Sequence, residues 1–253
     1  MAVGPTETFP RLLSTLESVS SQVGAGVEII IKVVGNRLAE EIDAYREAHP
    51  GLSIGLRVGS DQGPYDAFNI CAVAATGEYI LFLGCGDRLA DTSVAADLER
   101  SARMLGTPEV IYGHVLLTNE GAGRLETFST DCFFGHRARF PWRNPCHSQG
   151  LVYRRDWLTR HPFRADIGPL ADLFHTYRYR VFERANWVER PIAIFRTDGA
   201  SYARDWASLS ARLRGVRANC ENFRFAAAWK LLASLVYYAT FVIQRFRRPG
   251  GGA

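Results

Sequence analysis

Strand-length apolar runs alternate with helix-length amphipathic segments through the first half of this chain. That alternation constrains the fold more than any other feature. Phe9 to Gln22 predicts a helix with Leu12, Leu13, Leu16 and Val19 on one face. Val27 to Val34 is an apolar run of strand length, and Arg37 to His49 reads as a second helix closed by Pro50. Leu52 to Val58 alternates weakly and reads as a strand. Tyr65 to Ala75 predicts a helix and Glu78 to Leu83 a fully buried strand. Asp91 to Leu105 is an amphipathic helix with Asp91 or Thr92 as its cap, and Val110 to Leu117 is a strand. Such an order implies a parallel sheet covered on both faces. Ligands on such sheets bind outside the carboxyl ends of the strands. Ser60–Tyr65 and Gly84–Arg88 both fall at such ends. After Leu117 the alternation breaks down. Asn119 to Pro145 is polar, aromatic and turn-rich, Gly150 to Tyr153 is a short apolar run, Asp172 to Arg180 a helix and Ile192 to Arg196 a strand.

The chain has 253 residues, enough for one α/β domain with a sizeable core and a short appendage. Hydrophobic residues make up 47%, which selects a folded protein over a disordered one. The net charge of +4 is unevenly spread: from Ser201 to Ala253 nine basic residues face two acidic ones. Residues 1–200 therefore form the α/β domain, and residues 201–253 a basic helical appendage. Cys71, Cys85, Cys132, Cys146 and Cys220 are odd in number and widely spaced. They suit reduced thiols better than a disulfide framework or a zinc site. No apolar signal-peptide core is visible in the first twenty residues.

The chemistry-bearing residues cluster at the two strand ends. Gly63-Pro64 makes a tight turn, and the helix that follows points free backbone N–H groups at the loop, a favourable place for an anion. Asp61 is placed to hold a ribose or base edge. Asp66 and Asn69 either touch the nucleotide or cap and brace the loop. The run from Ser60 to Asn69, followed by Ala75-Thr76-Gly77-Glu78-Tyr79-Ile80-Leu81-Phe82-Leu83-Gly84-Cys85-Gly86-Asp87, resembles the sugar-nucleotide core of family 2 glycosyltransferases. That family often reads D-x-G-x-Y-D-A-M-N-x-G, then A-T-G-E/D-x-I-x-F-L and an acidic pair. The resemblance covers about residues 5 to 200 and implies a GT-A fold, a doubly wound mixed sheet whose second half shapes the acceptor side. It also implies a nucleotide-diphospho-sugar donor, bound by Pro5, Thr6, Asp61, Gly63, Tyr65, Asp66 and Asn69. Family members hold a divalent cation, Mg²⁺ or Mn²⁺, through the acidic pair, and such ions take oxygen ligands. Here the turn is Cys85-Gly86-Asp87, so Asp87 alone is left for the metal.

Two further departures bear on the donor pocket. The second strand usually ends in D-G or D-G-S, whose first carboxylate reads the base, and here Val33 sits at that place. Pro5-Thr6 matches the end of a strand-ending P-T-x-N, so either the chain begins late relative to the pattern or part of the donor pocket is missing. Downstream, Pro145 to Arg155 resembles the H-Q-G/A-x-F/V-Y-R-R segment of a subgroup that decorates bacterial surface polysaccharides and glycolipids. This implies acceptor-side roles for His147, Gln149 and Tyr153, with Ser148 standing where the pattern has His. Leu170-Ala171-Asp172 resembles the L-A-D of the same subgroup, which makes Asp172 the general base; otherwise it is a first-turn charge on a helix.

Between Lys230 and Arg248, Leu231, Leu232, Leu235, Val236, Ala239, Val242, Ile243 and Phe246 share one helical arc with a basic border. The uncharged run is about 20 Å of helix, short of a membrane span. It reads either as a helix lying in a membrane surface or as one packed on the domain or a second subunit. Its basic residues flank an apolar stripe and do not interleave with stacking aromatics, which argues against nucleic acid. The expectation is an inverting glycosyltransferase, peripheral on the cytoplasmic face of the cell membrane, acting on a glycolipid or lipid-linked glycan. The rival is a non-catalytic relative that binds a partner enzyme or a glycan.

Overall fold

The computed structural model describes residues 1–24, 26–35, 38–119, 124–128 and 146–197. At its centre is β2 (Glu28–Val33), where Ile29, Ile30, Ile31, Lys32 and Val33 are all buried, as a strand covered on both faces requires. It pairs in parallel with β1 (Ala2–Val3) on one side and β3 (Ser53–Val58) on the other. Between them, α1 (Phe9–Ser20) buries Leu12, Leu16 and Val19, and α2 (Ala39–Ala48) buries Ile42 and Tyr45. Each such aliphatic side chain contributes about 1.5–3 kcal/mol when fully withdrawn from water. The expected Leu13 on this face is half-buried.

α3 (Pro64–Ala74) buries the small residues Ala67, Cys71 and Ala72 against the sheet. Its start is fixed by Gly63, whose φ of 120° only glycine adopts without strain, and by Pro64 at the first helical position. The Ala75-Thr76-Gly77 turn that follows is held by Glu28. Its carboxylate accepts the Thr76 amide (2.7 Å), the Thr76 hydroxyl (3.0 Å) and the Gly77 amide (3.3 Å).

The chain then crosses to the other side of β1. β4 (Tyr79–Leu81) continues to Gly84, which bridges in parallel to Ala2. β5 (Arg88–Leu89) and α4 (Val94–Met104) follow, then β6 (Val110–Asn119) and β7 (Arg124–Phe128). Neither Asp91 nor Thr92 caps α4. Ser93 occupies that position, and Asp91 accepts its amide and hydroxyl.

The second half adds β8 (Leu151–Arg154), α5 (Arg155–Arg160), α6 (Ala171–Arg178), α7 (Val181–Arg184) and β9 (Ala185–Arg196). The strand order is β3-β2-β1, continued through the Ala2–Gly84 bridge into β4-β8-β6-β9-β5, with β7 beside β6. β8 runs antiparallel to both β4 and β6, while β9 runs parallel to β6. The sheet is therefore mixed and doubly wound, with its switch between β1 and β4. One core lies around β1–β3 with α1, α2 and α4. A second lies around α3, β4, β8 and α5, centred on Phe82, Tyr112, Tyr153 and Trp157. Segment 201–253, with the amphipathic stretch Lys230–Arg248, lies outside the described residues. Among the described residues no helix is long and apolar enough to cross a membrane.

Candidate active site

The carboxyl ends of β1, β2, β3 and β4 converge at the switch point, where a doubly wound sheet binds its ligand. Pro5 and Thr6 lie in the turn just after β1. Lys32, on β2, reaches across to the loop after β3. Its ammonium donates to Asp61 Oδ2 (3.0 Å), Gly59 O (2.7 Å) and Val33 O (3.1 Å). The pair is enclosed, with 3% and 6% of the two side chains exposed. Asp61 Oδ1 accepts the Gly63 amide at 3.0 Å. The expected nucleotide contact by Asp61 thus meets a carboxylate already committed to Lys32 and Gly63. Lys32 itself was read only as part of an apolar run. A lone lysine inside such a run was the signal, because a buried ammonium needs a carboxylate nearby.

Asp66 and Asn69 brace rather than project. Asp66 Oδ2 accepts the Gln62 amide at 3.0 Å, closing the turn around Gly63. Asn69 brackets the backbone of Phe163, donating to its carbonyl (2.8 Å) and accepting its amide (3.0 Å). That bracket seats residues 161–170 against α3 and brings the start of α6 over the loop after β3. There the phenol of Tyr65, in the first turn of α3, lies beside Asp172. Burial first, and then the Asp172 charge, push the Tyr65 phenol well above its ordinary range, so it stays a proton donor. Asp172 Oδ1 also accepts the Leu173 amide at 2.7 Å in the first turn of α6. Ile167, Ala171 and Phe174 form a small apolar cluster against Tyr65 that fixes this meeting. The structure thus joins Tyr65, expected at the donor, to Asp172, expected as the base.

Asp87 is 5% exposed and bonded on both oxygens. Oδ1 accepts the Arg196 amide (2.9 Å), and Oδ2 accepts the Gly84 amide (3.2 Å) and the Gln149 side-chain amide. Burial raises its pKa, and these donors oppose the rise. Beside it Cys85 is half-buried, its thiol pushed up to about 12 by burial and by neighbouring Glu7. Among the described residues no three His, Cys, Asp or Glu side chains gather as a metal site. Asp87 as bonded holds the ends of β4, β9 and the turn before β8 together, and does not turn a free oxygen toward a metal.

The residues expected on the acceptor side divide. Gln149 is buried against Asp87, a structural contact rather than an acceptor one. His147 packs edge-on against Phe195, with ring centroids 4.6 Å apart, and its Nδ1 accepts the Gln149 amide at 3.3 Å. Burial lowers its pKa to about 4, so it is neutral near pH 7. Tyr153 does not fit an acceptor role. It is 1% exposed, inside the aromatic core with Phe82, Trp157, Phe163 and His175.

The fold and its ligand-binding end define the GT-A class. The first 349 residues of S. aureus TarS, solved with UDP, superpose with a TM-score of 0.60 at 13% identity, over 92% of this chain and 69% of that one. The mannosyltransferase PcManGT from Pyrobaculum calidifontis, solved with GDP-Man and Mn²⁺, gives 0.54 at 16% identity, over 94% and 74%. No protein-family model matches the chain. In sequence it is 32% identical over 189 residues to the PGL/p-HBAD biosynthesis glycosyltransferases of Mycobacterium bovis and Mycobacterium tuberculosis. That match covers 72% of this chain and 64% of theirs, so the chain spans less than two thirds of these relatives. The chain is thus similar in sequence to glycosyltransferases and shares its fold with these solved neighbours.

Proposed function

We propose that this chain is an inverting glycosyltransferase that moves a sugar from a nucleotide-diphospho-sugar to a glycolipid or lipid-linked glycan at the cytoplasmic membrane face. The observation that carries the reading is the Tyr65–Asp172 contact over the donor loop. Both residues came from separate motifs of the resemblance, about a hundred positions apart, and they meet at the ligand end of the sheet. The relatives' names supply the glycolipid, since PGL/p-HBAD biosynthesis is what those proteins serve. The UDP and GDP-Man complexes of the structural neighbours supply the donor class.

In this reading Asp172 takes the proton from the acceptor hydroxyl. The acceptor oxygen bonds to the anomeric carbon as the bond to the diphosphate breaks, and the nucleoside diphosphate carries away the electron pair. The Leu173 amide holds Asp172 in place, with the Tyr65 phenol beside it. The Mn²⁺ of PcManGT supports a divalent cation, the bonding of Asp87 does not, and no step here depends on one.

Asp172→Asn tests the reading, because it preserves shape and removes the base. Turnover with a nucleotide-sugar and a glycolipid acceptor should fall ~10²-fold or more, with donor binding kept. Full turnover in that variant removes Asp172 from the mechanism. A wild type that binds nucleotide-sugar yet transfers to no acceptor favours the non-catalytic relative. Membrane attachment rests on Lys230–Arg248, whose basic residues add roughly 1 kcal/mol each near an anionic surface. Deleting residues 225–253 should release the protein from anionic liposomes, and retention after that deletion discards the membrane role.

A further inference from the structure

We propose that the Arg196 side chain, not a divalent cation, takes up the charge of the departing diphosphate in this site. The proposal rests on the glycosyltransferase reading and concerns how its leaving group is stabilised. The resemblance puts a second carboxylate where this chain has Gly86. A Cβ built on Gly86 would lie 3.2 Å from Arg196 Cδ, 3.7 Å from Arg196 Nε and 3.9 Å from Arg11 Cβ. An arginine therefore fills the space into which the metal-binding side chain would project. The exchange is built in. Gly86 has a φ of 91°, which disfavours any side chain, and its amide donates to Thr15 Oγ1 at 2.9 Å.

Asp87 completes the exchange. It spends Oδ1 on the Arg196 amide at 2.9 Å and Oδ2 on Gly84 and Gln149. The surviving acid of the pair thus anchors the backbone that carries the arginine. Mg²⁺ and Mn²⁺ sites on phosphates need one or two carboxylates facing the ion. A guanidinium about 4 Å from a divalent cation would instead repel it by several kcal/mol, even at an effective dielectric constant of about 20. The same guanidinium is well shaped for phosphate, because its planar fork makes two parallel charge-assisted hydrogen bonds. In the transfer, the anomeric C–O bond breaks and its electron pair goes to the terminal phosphate oxygen. Arg196 meets that new charge, while the acceptor's proton goes to Asp172.

The test is calorimetric titration of the whole chain with UDP and GDP, each in EDTA and in Mn²⁺, for wild type, Arg196→Ala and Arg196→Lys. Wild type should bind one of the two with affinities in EDTA and Mn²⁺ that agree within about threefold. Arg196→Ala should weaken the diphosphate by about 10- to 100-fold, the worth of hydrogen bonds to a charged group, and leave the matching free nucleoside unchanged. Arg196→Lys should recover part of the loss. Binding of the diphosphate only with Mn²⁺, or Arg196→Ala binding it as well as wild type does, overturns the proposal and leaves the transferase reading intact. If Arg196→Ala fails to fold by circular dichroism, the wild-type comparison in EDTA and Mn²⁺ decides alone. Failure to bind either nucleotide under any condition sinks the transferase reading and this proposal with it.

Discussion

Lys32 and Asp61 are held together out of water, and removing both charges should cost the fold less than the two single removals added together. Asp61→Asn keeps an oxygen for the Gly63 amide but leaves the ammonium enclosed, with only the Gly59 and Val33 carbonyls as partners. Breaking a buried pair in this way costs about 3–5 kcal/mol, because the remaining charge is uncompensated. Lys32→Met should cost a similar amount by stranding the carboxylate. With both substitutions no unpaired charge remains, so the double variant should be less destabilised than the sum of the singles by about 2 kcal/mol or more. The assay is equilibrium urea unfolding of the four proteins, followed by circular dichroism. For a slope of about 2–3 kcal/mol/M, each single change should lower the midpoint by about 1–2 M. Singles that each cost under about 1 kcal/mol, or effects that simply add, would falsify the claim that the pair is a buried, coupled lock on the loop after β3.

Three other outcomes follow from the geometry. Tyr65→Phe removes the hydroxyl beside Asp172 and keeps the ring against Phe68 and Phe163. kcat should drop about tenfold, the worth of one hydrogen bond to a charged group, with KM for the donor unchanged; a rise in KM alone would return Tyr65 to the nucleotide. Gly150→Ala puts a methyl 2.6 Å from the Gly113 carbonyl oxygen and 2.8 Å from Tyr112 Cε2. The overpacked contact between β6 and the turn before β8 should lose about 1–3 kcal/mol in thermal or urea unfolding, and a wild-type midpoint would refute the closeness of that packing. His147 and His175 are both held neutral by burial, with pKa values lowered to about 4. Between pH 4 and 6.5 the unfolded chain binds more protons at these histidines, so their stabilisation is complete above pH 6.5 and is lost as pH falls toward 4. Each accounts for about 3 kcal/mol. Asp87, whose pKa is raised, acts in the opposite sense and offsets part of the loss. Urea midpoints that stay flat across this range would contradict the buried placement of the two rings.

The elements carried by hydrophobic period were legible, and those carried by pairing were less so. α1 was expected over Phe9–Gln22 and is found over Phe9–Ser20, because Leu12, Leu16 and Val19 recur at helical spacing. β2 was plain because four of its six residues are Ile or Val. By contrast, β9 was expected only from Ile192, yet it begins at Ala185. Its first residues, among them Asn186, Glu189 and Arg190, show no clean alternation. What makes them a strand is pairing with Val110–Tyr112 of β6. The start of α4 moved from Asp91 to Val94 for a similar local reason. Asp91 binds the Ser93 amide and hydroxyl and builds the turn that precedes the helix.

At the site, a motif identifies a polar residue but not the group it is bonded to. Asp61, Asp66, Asn69 and Asp87 stand where the resemblance puts them, at strand ends and in the first turns of α3. Their most distant partners lie 29 residues away for Asp61, 4 for Asp66, 94 for Asn69 and 109 for Asp87, which also meets one 62 residues away. The Gln62 amide on Asp66, the Gly63 amide on Asp61 and the Gly84 amide on Asp87 fall within the reach of a local pattern, and bracing was one of the expected readings of Asp66. The others depend on how distant strands stack, which no period in the sequence encodes. Gly86 makes the case most sharply. In the sequence it is a missing carboxylate, and so a weakened metal site. In the fold it is the gap that admits Arg196, an arginine read only as the end of a strand. A lost acid and a gained base at one point are a single change in the charge of the site, and only the packing of β9 beside the β4 turn connects them.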